Sequence, residues 1–139
     1  MQIILQLKLP AKLENLRYLV ESVSRGAKEQ GFDSEKVDDL SLATEEALVN
    51  IFSYAYQGDI GDVDLTCVVD DDNRFIVEIA DCGVPFNGFG LGDPDTEADV
   101  AKRKIGGLGV FLIKKFVDDV QYRRDTNKNI LKLIILPTS

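Results

Sequence analysis

The sequence predicts an α+β domain: a two-layer sandwich with helices on one face of a mixed, mainly antiparallel sheet. Three observations lead there. Alternating apolar runs occur as two adjacent pairs joined by short polar turns, two helical stretches are grouped between the first strand and the first pair, and regular β-α alternation is missing. The last point argues against a doubly wound parallel sheet. At 139 residues the chain fits one domain, 1–139.

Gln2 to Leu9 alternates, with Ile3, Leu5, Leu7 and Leu9 on one face, so it reads as a strand that Pro10 stops. From Ala11 to Gln30, Leu13, Leu16, Val20, Val23 and Ala27 recur at helical spacing, and Gly31 closes the helix. Asp33 or Ser34 can cap a second helix, whose apolar stripe is Val37, Leu40, Ala43 or Thr44, Ala47 and Ile51, ending near Tyr56. Asp62 to Val69 and Arg74 to Ala80 flank Asp70-Asp71-Asp72-Asn73, a hairpin signal. Asn87 to Lys104 is rich in Gly, Asp and Pro and reads as a disordered insert or a mobile functional loop, with a short helix over Ala98 to Arg103. Ile105 to Val117 is helical. Val120 to Arg124 and Ile130 to Leu136 form a last hairpin around Asp125 to Lys128.

Composition excludes several functions. A formal net charge of -8, from 24 acidic and 16 basic residues, leaves no basic face to displace counterions, so nucleic-acid binding is not expected. The acidic surface meets a basic protein partner or serves solubility alone. Met1 to Leu9 lacks an uninterrupted apolar core, so no signal peptide is predicted, and no run reaches membrane-spanning length. A cytoplasmic protein is expected. The chain contains no histidine, and its two cysteines suggest neither a disulfide framework nor a zinc site. Cys67 shares the parity of Val63, Leu65 and Val69 and reads as a small core residue.

Three short stretches carry chemistry. Glu46 and Asn50 are four apart on a helix, on the same side and off the apolar stripe. Asn supplies a neutral oxygen suited to magnesium that takes its other ligands from phosphates and water. A carboxylate one turn away can accept a proton from an attacking hydroxyl; Glu45, about 100° around the helix, is less well placed. Asp81 ends a strand before Gly83, putting an acceptor at the core's edge where the exocyclic amine of adenine could bind, with a glycine for close approach of a flat ligand. Gly106-Gly107-Leu108-Gly109 opens a helix, where bare backbone amides form an anion site, with Lys102, Arg103 and Lys104 just before it. Each stretch alone has a plainer reading: a solvated Glu with a surface Asn, an ordinary strand-ending turn, a glycine hinge. No P-loop pattern is present.

In this order and context the stretches resemble the histidine-kinase-like ATPase superfamily (GHKL, Bergerat fold), and within it the stand-alone anti-sigma-factor serine kinases. Leu42 to Ile51 with Tyr54-Ala55-Tyr56 is similar to the N box, Asp81 to Phe86 to the G1 box, and Ile105 to Ile113 to the G2 box. The similarity continues through Asp118 to Tyr122 into the last strand.

The resemblance implies that Asn50 ligates Mg2+, that Glu46 is the general base toward a serine hydroxyl, and that Asp81 binds the adenine amine of ATP with Gly83 shaping its pocket. Residues 87–104 would be the lid, and Lys104, Gly106, Gly107, Leu108 and Gly109 would hold the phosphates. Arg17 falls at a partner-facing arginine on the first helix. The implied partners are a STAS-domain anti-sigma-factor antagonist and, alternatively, a sigma factor; a homodimer is also implied. Two positions depart from the pattern. Tyr54 stands where many members have His, with little effect expected beyond the ligand, and Lys132 stands in the last strand where members often have Thr near the adenine. The function expected is an ATP-dependent protein-serine kinase and partner switch. The alternative is a non-catalytic ATP-binding module that sequesters a partner; the ATP-binding half of a two-component histidine kinase fits poorly without a histidine, and a purely structural role fits least.

Overall fold

The computed structural model describes residues 1–56, 61–85 and 112–137. Its elements are β1 (Gln2–Pro10), a 3-10 turn (Leu13–Asn15), α1 (Leu16–Glu29), α2 (Ser34–Tyr54), β2 (Asp62–Val69), β3 (Phe75–Asp81), helical residues 112–116, β4 (Asp119–Asp125) and β5 (Lys128–Ile135). The five strands form one sheet in the order β1-β2-β3-β5-β4. This is the α+β sandwich the sequence predicts. Among the described residues every pairing is antiparallel, with no mixed component. The reason is that α1 and α2 form a helical hairpin: two passes over the sheet return the chain to the end of β1, so β2 must run back beside it.

Local chemistry explains the boundaries. Gly31 takes φ +91 just after α1, and the Phe32 amide donates to the Ala27 carbonyl at 3.3 Å, closing the helix with a left-handed residue. The α2 cap is Asp33 rather than Ser34: its Oδ1 accepts from the Lys36 amide at 2.9 Å, an interaction worth about 1 kcal/mol. Leu13, expected on the first helix's inner stripe, is 71% exposed because it belongs to the tighter 3-10 turn ahead of α1. Leu19 takes its place in the core.

The strand β1 also departs from simple alternation. A bulge between Ile3 and Leu5 shifts the register, so Ile3 faces outward while Ile4 packs against the core. β2 and β3 alternate as expected, whereas β5 is buried on both faces, with Ile130 and Ile134 covered as well as Leu131 and Leu133. Their helix-facing side is built of four cross-strand rows: Val69–Phe75–Ile135, Cys67–Val77–Leu133, Leu65–Ile79–Leu131 and Val63–Asp81–Asn129. The first three rows are apolar and belong to the core, Cys67 included. The fourth ends in two buried polar residues and marks the site. No described helix is long and apolar enough to cross a membrane.

Candidate functional site

A pocket opens over that fourth row, between the second half of α2 and the sheet. Its walls include Asn50, Tyr54, Asp81, Tyr122, Asn129 and Leu131. The structure thus brings together Asn50 and Asp81, two residues selected from separate stretches. Asn50, expected off the apolar stripe, is only 6% exposed. The second half of α2 lies over the sheet as well as against α1, so its buried arc is wider than a single stripe.

Asn50 is unusual chemically. Its Nδ2 is the only buried side-chain polar atom among the described residues that lacks a hydrogen-bond partner. An unsatisfied buried amide costs roughly 1–3 kcal/mol, and a half-turn of the amide exchanges its oxygen and nitrogen. A neutral oxygen donor committed to nothing else fits a magnesium ligand that fills the rest of its shell with phosphate and water. Glu46, one turn earlier, is half-buried, and no ion pair holds it among the described residues. Glu45 is exposed and lines a different groove, with Leu13, Leu16, Arg17, Val20 and Glu21. Arg17 lies on α1 there, exposed, 3.9 Å from Glu21.

Asp81 is the last residue of β3 and is 5% exposed. Its Oδ1 accepts two hydrogen bonds of 2.9 Å, from the Gly83 amide and from Asn129 Nδ2. Neither bond involves Oδ2. Gly83 has a cause other than ligand approach: a Cβ there would collide with the Ala55 backbone, and the Val84 amide already donates to the Ala55 carbonyl at 2.8 Å. The turn after Asp81 is therefore seated on the end of α2. Tyr56 adds a second tie, its hydroxyl accepting from the Cys82 amide at 2.9 Å and donating to the Asp62 carbonyl at 2.5 Å. Burial raises the Tyr56 phenol above its ordinary pKa, against the Cys82 hydrogen bond and helped by the nearby Asp81, Cys82 and Asp62.

The last hairpin supplies residues that sequence reasoning missed. Asn129, 4% exposed, stands opposite Asp81 in register. It donates to Asp81 and to the Val84 carbonyl (2.8 Å), and its Oδ1 accepts from the Tyr122 hydroxyl (2.5 Å) and from Arg124 (3.2 Å). Arg124 also donates to the Gly83 carbonyl at 2.7 Å. Lys132, singled out as adjoining the adenine, pairs instead with Glu78 and Gln121 on the opposite face of the sheet. Three residues along a strand reverse the side as well as the depth. Tyr54, expected to matter little, lines the pocket because it lies one helical turn after Asn50. Lys104, Gly106, Gly107, Leu108, Gly109, Phe86 and the lid at 87–104 lie outside the described residues.

Comparison with known proteins agrees with this fold. Residues 9–135 match the family described as histidine kinase-like ATPase domain. The chain is 30% identical over 131 residues to the serine-protein kinase RsbW of Bacillus mycoides, covering 91% of this chain and 81% of that one. The same figures hold for RsbW of Bacillus thuringiensis. Among solved structures, the SiaB-SiaC complex of Pseudomonas aeruginosa contains a chain similar in fold, with TM-score 0.71 and 13% identity over 96% of this chain and 90% of that one. The RsbU and RsbW domains of a Mycobacterium tuberculosis protein match with TM-score 0.69 and 14% identity, over 97% of this chain and 33% of that longer one. With the family matched along nearly the whole length, the chain belongs to the histidine kinase-like ATPase domain family, in the group that contains the RsbW serine-protein kinases.

Proposed function

We propose that this protein is an ATP-dependent protein-serine kinase acting in the cytoplasm as a partner switch on a STAS-domain antagonist. One observation carries the reading. A single pocket holds a carboxylate with Oδ2 outside its internal hydrogen bonds, Asp81, and a buried amide with no partner, Asn50. Both groups are costly unless something else completes them. The adenine amine of ATP suits the first, and magnesium suits the second. The serine-protein kinase name of relatives at 30% identity supports the reaction class.

In the reaction, Glu46 accepts the proton of the substrate serine hydroxyl as its oxygen attacks the γ-phosphorus. The bond from that phosphorus to its β-bridging oxygen breaks, and ADP leaves with the electron pair. Asp81 fixes the adenine ring, while Asn50 would hold magnesium, which when bound would neutralise phosphate charge. The phosphate role of Lys104 and Gly106 to Gly109 rests on the sequence pattern. Arg17, exposed on α1, is assigned to partner contact; a sigma factor as second partner and a homodimeric form belong to the same proposal.

A second reading is an ATP-binding module that sequesters a partner without phosphoryl transfer. It is favoured by one fact: Glu46 is absent from the residues lining the pocket that holds Asn50 and Asp81. Incubation with labelled ATP, magnesium and a STAS-domain protein separates the two. A kinase yields phosphoserine on that protein, and Glu46→Gln lowers the rate at least about a hundredfold. Tight ATP binding with no labelled product supports the sequestering module.

A further inference from the structure

The polar row at the end of the sheet has a feature that bears on which purine the pocket accepts. Asp81 Oδ1 has two lone pairs, and both are taken, by the Gly83 amide and by Asn129 Nδ2, each at 2.9 Å. Asn129 has no freedom to turn its oxygen toward Asp81. Its Oδ1 receives the Tyr122 hydroxyl and Arg124, and its Nδ2 is shared between Asp81 and the Val84 carbonyl. Flipping the amide would set its oxygen against two acceptors and its nitrogen against the Arg124 guanidinium, which can only donate.

Adenine presents one exocyclic amine. Guanine presents two parallel donors, N1–H and the 2-amine, which a carboxylate with both oxygens available can accept together. From this we infer that Asn129 is a specificity-determining positioning residue: by filling Asp81 Oδ1 together with the Gly83 amide it leaves that carboxylate a single acceptor, Oδ2, and thereby selects adenine over guanine. Arg124 and Tyr122 act one step further out by fixing the Asn129 amide. The inference rests on the adenine reading of Asp81 proposed above.

The test compares equilibrium binding of ATP and GTP, with magnesium, to the full chain and its variants, each checked for folding by thermal unfolding without nucleotide. Asn129→Ala frees one lone pair of Oδ1 and lets the carboxylate turn. It is expected to cut the ATP-over-GTP preference about tenfold, the size of one hydrogen bond in a protected site. A merely structural defect would weaken both nucleotides equally and leave the ratio unchanged; that result overturns the inference. Should Asn129→Ala not fold, Arg124→Met probes the same amide, with a smaller fall in the same ratio expected and an unchanged ratio overturning it. Failure of the underlying reading looks different. If the unaltered chain binds no ATP, or if Asp81→Ala binds it as well as the unaltered chain, the adenine site and the inference fall together. If Asp81→Ala loses ATP but Asn129→Ala keeps the full preference, the inference alone is overturned.

Discussion

Gly83 rests against Ala55 so closely that the turn after Asp81 and the end of α2 have no room for a single additional methyl group between them. The Val84 amide reinforces the seat by donating to the same Ala55 carbonyl. Any side chain at 83 must push the turn off the helix, because backbone rather than a flexible side-chain tip stands in the way. Gly83→Ala is expected to destabilise the fold by about 1–3 kcal/mol and to weaken nucleotide binding by displacing Asp81. Thermal unfolding and ATP titration check the two effects. A variant with unchanged melting temperature would remove the argument.

Asn50 offers the opposite trade. Its Nδ2 is buried without a partner, so the nucleotide-free fold carries its desolvation cost. Asn50→Leu, of the same branched shape, is expected to keep or raise the stability, by up to about 1 kcal/mol, while magnesium-dependent phosphoryl transfer is lost. A large loss of stability without nucleotide would instead make Asn50 a structural residue.

The two cysteines are expected to differ sharply. Cys67 is fully buried in the sheet's core face, and burial pushes its thiol up to about 12, whereas Cys82 is exposed. A thiol reagent should modify one site in the folded protein and the second only after denaturation. The raised value also has a stability consequence. Because the folded thiol holds its proton above the ordinary 9.0, its contribution is complete below about pH 9 and is lost as pH rises toward about 12. Melting temperatures across that range should fall less steeply in Cys67→Ala.

Asp70 works at the acid end. The Arg74 backbone amide, with the Arg74 guanidinium and the Asp72 amide, holds its carboxyl below the ordinary 3.8, burial opposing. A depressed folded value means stability that is present above the ordinary carboxylate range and lost as pH falls through the folded value. Asp70→Ala should therefore weaken the β2–β3 turn near neutrality and flatten the acid arm of a pH–melting curve. An unchanged acid arm would show that the turn does not depend on Asp70.

How much of this was legible in the sequence depends on distance along the chain. Helix spacing put Glu46 and Asn50 on one side, and the end of an alternating strand put Asp81 at the core's edge, because both signals are local. The meeting of Asn50 with Asp81 was reached only through their order within a familiar pattern. Asn129 was illegible. Its role depends on the β3–β5 register, which pairs residues 48 apart, and a slip to Lys132 lands on the wrong face of the sheet. The Ile3/Ile4 exchange has the same origin: a bulge adds one residue, and strict alternation carries no sign of it. Gly83 was legible as a turn glycine, but its contact with Ala55 required the helix and turn to be placed in space.

The aromatic residues around the pocket make it its own optical reporter. The chain has four tyrosines and no tryptophan. Tyr54 and Tyr122 line the pocket, Tyr56 braces its turn, and Tyr18 alone sits away on α1. Tyrosine emission is not masked by indole here, so most of the protein's intrinsic fluorescence comes from residues whose surroundings a bound nucleotide would change. Occupancy can be followed on the unlabelled chain, and Tyr18→Phe would remove the one remote contribution.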